Sequence, residues 1–449
     1  MDIDILKKPE GKSLEFKRDL SSPERVLRTI VAFANTAGGT LIIGVEDATK
    51  RVLGLDDPLE VEERIANLIS DRVVPRLIPD LDILSWRQTN LLAVRVYPSP
   101  RRPHYLKRAG LEAGVYVRVG STNRRADREL IEELQRFSRG QAYDEQAMTE
   151  LRPEALDFLT ISNSFAQVRR IKRADLETLR LLTPHQGRKV PTIGGELLFG
   201  KDRERYFPDA WIQAGRFQGR DKTHISDRID IRLYPVQAIE EAIVFVQKHA
   251  LRGAEIGEVR RRDIWSLPPV AVREAIINAV AHADYSQLGG PIRVSIFDDR
   301  LEVENPGLLP FGLTIDDLKA GISKIRNRVI ARVFHELGLI EQWGSGIQRM
   351  ISVCRDSGMA MPLFEEMGNR FRVTLFTKRT GKPELDTTDQ AILDSLSRGK
   401  GLSTSEIASA IDRTPRTTRT RLVKLIERGL VSSVGTRPQD PKRRYYLST

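Results

Sequence analysis

Three groups of residues combine side-chain types and spacings that could do chemistry. Glu274 and Asn278 are four positions apart. On a helix that spacing puts both on one face. There a carboxylate and an amide could act together on one polar ligand. The plainer reading of the pair is two polar residues on a solvated face. Glu10, Glu15 and Glu46, with Asp47 adjacent, form a second set. Three carboxylates could hold a divalent metal and cut a phosphodiester. Alternatively, Glu15 pairs with Lys17 or Arg118 and steadies a sheet edge, a common fate of acids at strand ends. The third set is Arg416, Thr417, Thr418, Arg419 and Arg421. Arginine can pair bidentately with guanine, and threonine can hydrogen-bond a base or touch a thymine methyl.

The third set needs a helix that can enter a groove, and the surrounding sequence supplies one. A helix is expected over residues 388–397. Ser403-Thr404-Ser405-Glu406 is a capping box that opens a second helix, with Ile407 and Ile411 facing inward. After Asp412-Arg413, Thr414 caps a third helix and Pro415 sits at its first position, where a missing N–H costs nothing. Leu422, Leu425 and Ile426 form its core stripe and Gly429 ends it. Residues 430–434 and 443–447 then pair as a wing. This is a winged helix-turn-helix, whose second motif helix reads the major groove. Between Arg413 and Tyr445 lie ten lysines and arginines against Glu427 and Asp440, a net of +8 out of +11 for the chain. Charge gathered on one helix and its wing suits a polyanion. The wing residues Arg437, Lys442, Arg443 and Arg444 would meet phosphates or a minor groove. The competing reading is a winged helix used for protein contacts.

Glu274 and Asn278 belong to a helix expected over residues 268–282. Strands follow at 292–297 and 301–303, then Glu304-Asn305-Pro306-Gly307 and, later, Trp343-Gly344-Ser345-Gly346-Ile347. This order resembles the GHKL ATPases, the group of gyrase, histidine kinases and MutL. It is most similar to the divergent module of RecG-like transcriptional regulators, over about residues 267–376. The resemblance implies an α/β sandwich that binds ATP and Mg²⁺, with Glu274 as the water-activating base and Asn278 as the Mg²⁺ ligand. Gly344 and Gly346 would form the phosphate turn, and Asn305 and Gly307 the adenine-reading segment. Two departures stand out. Asn305 replaces an aspartate, which removes a charge-assisted bond to adenine, and Leu309 stands where a further glycine is expected. Arg326-Asn327-Arg328 lies where a lid could meet phosphate. His282, beside the expected site, is read as structural.

At the other end, Glu10-Gly-Lys-Ser-Leu-Glu15-Phe-Lys17 leads into Ala32-Phe-Ala-Asn-Thr-Ala-Gly38-Gly39-Thr-Leu-Ile-Ile-Gly44-Val-Glu46-Asp47, and later Tyr116-Val-Arg118-Val-Gly-Ser-Thr122. These blocks resemble the Schlafen-type AlbA-like domain over about residues 5–137. The resemblance implies DNA or RNA binding, with Lys17, Arg18, Arg118, Arg124 and Arg125 on the backbone. It also allows RNA cleavage by Glu10, Glu15 and Glu46. The intervening stretch is similar to the linker sheet that joins these two modules, and its Gly200-Lys201 is not a phosphate loop.

At 449 residues the chain should hold about three domains. The fold class is α/β and α+β multidomain. Expected limits are 1–140 for the AlbA-like domain, 141–380 for the linker sheet plus GHKL-like module, and 386–449 for the winged helix. Polar breaks near 138–150 and 377–389 mark the joints. A single cysteine and no C-x-x-C argue against disulfides and structural zinc. The first twenty residues lack an apolar stretch, and no apolar run reaches 18 residues, so a cytoplasmic protein with no membrane partner is expected. The leading expectation is a DNA-binding transcriptional regulator, at least dimeric, with a nucleotide-sensing or assembly module. The alternatives are a metal-dependent nuclease acting on RNA or single-stranded DNA, perhaps a defensive one, and a GHKL ATPase. A helicase is disfavoured, because the G-x-x-x-x-G-K-[ST] cradle is absent.

Overall fold

The structure is a computed structural model. It describes residues 5–6, 8–47, 50–256, 261–341, 344–377, 387–396, 401–427, 430–434 and 443–447, with backbone alone at 251–256, 261–265, 424, 427 and 434. The chain forms two compact units, residues 1–378 and 379–449.

The larger unit begins with a four-stranded sheet. Leu14–Lys17 runs parallel to Gly39–Ile43, which pairs antiparallel with Thr89–Val96, and Asp80–Trp86 closes the far edge. The period-two alternation of strand side chains splits Gly39–Ile43 between two cores. Leu41 and Ile43 pack with Val26, Leu27, Ile30 and Val31 of the helix Pro23–Asn35. Ile42 packs on the other side with Leu14 and Phe16. The turn into this strand needs Gly38, whose φ is +78° and whose Cβ would lie 2.7 Å from the Val96 carbonyl oxygen. Helix Pro23–Asn35 also packs on the strand Tyr116–Val119, which forms a hairpin with Thr122–Arg125. The helix Arg128–Ser138 follows, capped by Asp127 through the Leu130 amide at 2.9 Å.

The rest of the larger unit is built on a six-stranded sheet. Its order is Ile225–Ile231, Ile212–Phe217, Ile292–Ile296, Arg300–Pro306, Arg370–Phe376, Leu363–Met367. Ile212–Phe217 pairs parallel with Ile292–Ile296, and every other pairing is antiparallel. The stretch read from sequence as a linker sheet therefore supplies two strands of this same sheet. Helices Pro235–Ala250, Pro269–His282, Arg328–Glu336 and Gly346–Asp356 share one apolar core with it.

The smaller unit is three helices, Thr387–Leu396, Thr404–Ala410 and Pro415–Glu427, and a hairpin of Val431–Val434 with Arg444–Leu447. Ile392, Leu396, Ile407, Leu422, Leu425, Val431 and Tyr445 form its core, with Ile411 and Ile426 at the margin. The break between the second and third helices is made at Asp412, whose φ is +51°. Aspartate tolerates that region better than most residues.

Candidate nucleic-acid and nucleotide sites

In the smaller unit, Ser403 and Glu406 form the reciprocal capping box: the Glu406 amide reaches Ser403 Oγ and the Ser403 amide reaches Glu406 Oε2. Thr414 Oγ1 accepts from the Thr417 amide at 3.3 Å, which orders the first turn of the third helix. Arg416, Thr417 and Arg419 are exposed there. The other expected contacts separate from them. Thr418 is 0% exposed, so its side chain belongs to the interior and meets no base. Arg421 is half-buried and pairs with Asp389 of the first helix at 3.1 Å. Arg444 is exposed but held by Glu406 at 2.7 Å and by the Gly401 carbonyl at 2.9 Å. Arg443 is half-buried. Arg437 and Lys442 lie outside the described residues.

In the larger unit, the helix Pro269–His282 carries Glu274 and Asn278 toward the turn at Gly344-Ser345-Gly346. A Cβ on Gly346 would stand 2.5 Å from Glu274 Oε2 and 3.3 Å from Asn278 Nδ2, so any larger residue would displace the Glu274 carboxylate. Gly344 has a φ of +64°. Glu274 is buried; its Oε1 lies 3.1 Å from Arg349 Nη1 and 3.8 Å from Arg273 Nη1. Burial pushes its carboxyl above the ordinary value, and the two arginines oppose that. Asn278 Nδ2 is buried and has no hydrogen-bond partner among the described residues. An orphaned N–H donor beside a glycine turn suits an anionic oxygen such as that of a phosphate, whereas a Mg²⁺ ion would be held by the amide's Oδ1.

Asn305 and Gly307 lie just past the C-terminal end of the same helix, where the Asp284 amide donates to the Pro306 carbonyl at 2.9 Å. Asn305 is buried and its Nδ2 donates to the Pro306 carbonyl. Gly307 has a φ of +95°, and a Cβ there would meet the Asp284 Cβ at 2.7 Å. Arg326 does not face a phosphate. It is buried against Glu133, 3.6 Å from Asp284 Oδ2, and it donates to the Leu308 carbonyl. Sequence reasoning missed Asp144. Its carboxylate accepts from the amides of Arg328, Val329 and Ile330 at 2.9, 2.7 and 3.0 Å. That fills the anion-binding end of the helix Arg328–Glu336. His282 is desolvated, which lowers its pKa to about 4 and keeps the ring neutral.

In the amino-terminal part, Glu15 is 7% exposed and pairs with Arg118, and with Lys17 at 2.8 Å. Lys17 also reaches Asp47 at 2.6 Å. Burial pulls its ammonium down, but the two carboxylates more than offset this and hold its pKa above the ordinary value. Arg118 is 0% exposed and also donates to the Gly11 carbonyl (3.0 Å) and Asn123 Oδ1 (2.9 Å). It therefore pins the strand Leu14–Lys17 and presents nothing to a phosphate backbone. Glu10 accepts from the Phe16 amide at 2.8 Å, and Glu46 is half-buried. Among the described residues no three His, Cys, Asp or Glu side chains converge to hold a metal. Glu10, Glu15 and Glu46 thus do not form the metal group expected of them. Of the cations expected on a nucleic-acid backbone, Arg18, Arg124 and Arg125 are exposed.

The fold is that of a multidomain α/β and α+β protein that ends in a winged helix. Three family models match it. "Schlafen, AlbA_2" matches residues 10–127, "Putative ATP-dependent DNA helicase recG C-terminal" residues 289–375, and "Winged helix-turn-helix DNA-binding" residues 385–432. The chain thus combines a Schlafen AlbA-like domain, a RecG C-terminal ATPase-like module and a winged helix. Glu274 and Asn278 precede the second match, whereas Asn305, Gly307, Gly344 and Gly346 fall within it. No curated protein matches the chain. Among solved structures it is similar to the DIP2311 protein from Corynebacterium diphtheriae, at 19% identity over 97% of this chain and 95% of that one, with a TM-score of 0.48. It is also similar to the "N-terminal Domain of Putative ATP-dependent DNA Helicase RecG-related Protein" from Nitrosomonas europaea. That match has 29% identity over 27% of this chain and 91% of that one, with a TM-score of 0.23. Among the described residues no helix is long and apolar enough to cross a membrane.

Proposed function

We propose that this protein is a DNA-binding regulator of transcription whose winged helix reads duplex DNA. The observation that carries this reading is the split within the helix Pro415–Glu427. Arg416, Thr417 and Arg419 are exposed at its first turns, while Thr418 and Arg421 are turned to the core and to Asp389. That is the geometry of a helix whose amino-terminal end enters a major groove. The exposed Arg18, Arg124 and Arg125 of the AlbA-like domain supply a second set of phosphate contacts, to DNA or RNA. A dimer would set two winged helices on half-sites about one helical turn apart.

The middle module is proposed to bind ATP with Mg²⁺ at Glu274, Asn278, Gly344 and Gly346, and to pass its occupancy to the DNA-binding parts. Asn278 would hold the metal, the glycine turn would let backbone approach phosphate, and Asn305 with Gly307 would lie toward the base. Bound Mg²⁺ would supply charge neutralisation of the phosphates.

The test is a titration of the full-length chain with random and selected duplexes at several salt concentrations. Arg416→Ala and Arg419→Ala should each weaken binding about tenfold and lower the salt slope by about one. Unaltered affinity and slope in the double variant would overturn the reading.

A further inference from the structure

Arg349 is one turn into the helix Gly346–Asp356 and lies on the same face as Gly346. Its guanidinium is half-buried and reaches three groups. Nη1 pairs with Glu274 Oε1 at 3.1 Å, Nη2 pairs with Glu341, and Nη2 lies 3.3 Å from Ser345 Oγ. The two acids differ. Glu341 is exposed and Glu274 is almost fully covered. One cation therefore bridges the carboxylate expected to activate water and the surface beside the phosphate turn.

This position has a physical consequence. Gly346 lies close to Glu274 and Asn278, so a phosphate at this turn would stand beside the Glu274 carboxylate. A terminal phosphate beside Gly344-Ser345-Gly346 would bring at least two negative charges next to Glu274, which repels them unless a cation intervenes. Arg349 is within a side-chain rotation of that place. Arginine suits the task because its fork can release the two oxygens of a carboxylate and take two oxygens of a phosphate.

We propose that Arg349 is the terminal-phosphate ligand of this site: without nucleotide it ties up Glu274 in an ion pair, and with a triphosphate it leaves Glu274 for the phosphate. This rests on the nucleotide reading above and adds its selectivity. A triphosphate is preferred to a diphosphate because only the former reaches Arg349. Glu274 competes with the phosphate for the same guanidinium.

The experiment is equilibrium binding of Mg²⁺ with a non-hydrolysable ATP analogue, and separately with ADP, to full-length protein. Arg349→Ala should weaken the analogue about tenfold and leave ADP within about twofold. Glu274→Gln should tighten the analogue by releasing Arg349. The variant Glu274→Gln with Arg349→Gln keeps the corner neutral; it should fold as wild type and show the same loss for the analogue. Equal effects of Arg349→Ala on both nucleotides, or tighter binding of the analogue, would overturn the role of Arg349 while leaving the nucleotide reading intact. Absence of binding by wild type to either nucleotide at millimolar concentration would overturn both.

Discussion

Arg326 forms a buried ion pair with Glu133, a residue 193 positions earlier, on the helix that ends the AlbA-like part. The same guanidinium lies 3.6 Å from Asp284 and donates to the Leu308 carbonyl, next to Asn305 and Gly307. A second tie, Lys12 to Glu366 at 2.6 Å, joins the amino-terminal part to the last strands of the six-stranded sheet. Burial pushes the Glu133 carboxyl above its ordinary value, and Arg326 pulls against that. The AlbA-like part and the segment expected to read a base are thus held to each other by charges largely shielded from water, the Arg326 and Glu133 side chains being 9% and 17% exposed.

Removing Arg326 should therefore cost more than a surface pair would. Arg326→Gln leaves Glu133 and Asp284 buried without their cation, and a loss of about 3–5 kcal/mol is expected. Glu133→Gln added to it should recover part of that. Urea unfolding of the wild type, both single variants and the double variant measures the coupling. Strict additivity would show that the pair is not coupled.

Thr418 should behave unlike its neighbours on the recognition helix. Its Oγ1 is buried without a hydrogen-bond partner among the described residues, so the hydroxyl is a cost to the fold and not a contact with DNA. Thr418→Val is expected to leave duplex affinity unchanged and to raise stability by up to about 1 kcal/mol. A duplex titration beside a thermal melt checks both halves. A loss of affinity comparable to that of Arg419→Ala would place Thr418 at the interface.

Local periodicity made the framework readable. The helix read over 268–282 is Pro269–His282, the strand read over 292–297 is Ile292–Ile296, and the one read over 301–303 is Arg300–Pro306. In each, apolar side chains recur at the helical or strand period, and that signal is contained within a dozen residues. The capping box at Ser403 was readable for the same reason. What was not readable depends on partners far along the chain. Thr418 and Arg419 are adjacent and both polar, and only the packing of the unit as a whole buries one of them. Arg118 resembles any strand arginine until Glu15 and the Gly11 carbonyl close around it. The use of Asp144 as a cap for a helix beginning at Arg328 has no signature near either residue.

Glu196 is another such residue, and it makes stability depend on pH. It lies in the helix Ile193–Phe199, which Thr192 caps through the Gly195 amide at 3.0 Å. Gly200 presses on it so closely that a Cβ there would meet the carboxyl at 2.1 Å. Glu196 is 0% exposed and neither carboxylate oxygen has a hydrogen-bond partner. Burial, helped by Asp202 and Glu150 and opposed by Arg203, pushes its pKa from 4.5 to about 7. In that interval the folded chain holds a proton that the unfolded chain has released. The contribution of this group is complete below pH 4.5 and is lost as pH rises toward 7 and beyond. At 1.36 kcal/mol per unit the loss approaches about 3 kcal/mol. Glu196→Gln keeps the shape and removes the titration, so its stability should fall less steeply across that range and should exceed that of wild type at pH 8. Urea unfolding at pH 5, 6, 7 and 8 compares the two chains. Parallel curves across that range would show that the Glu196 carboxyl titrates alike in the folded and unfolded chain.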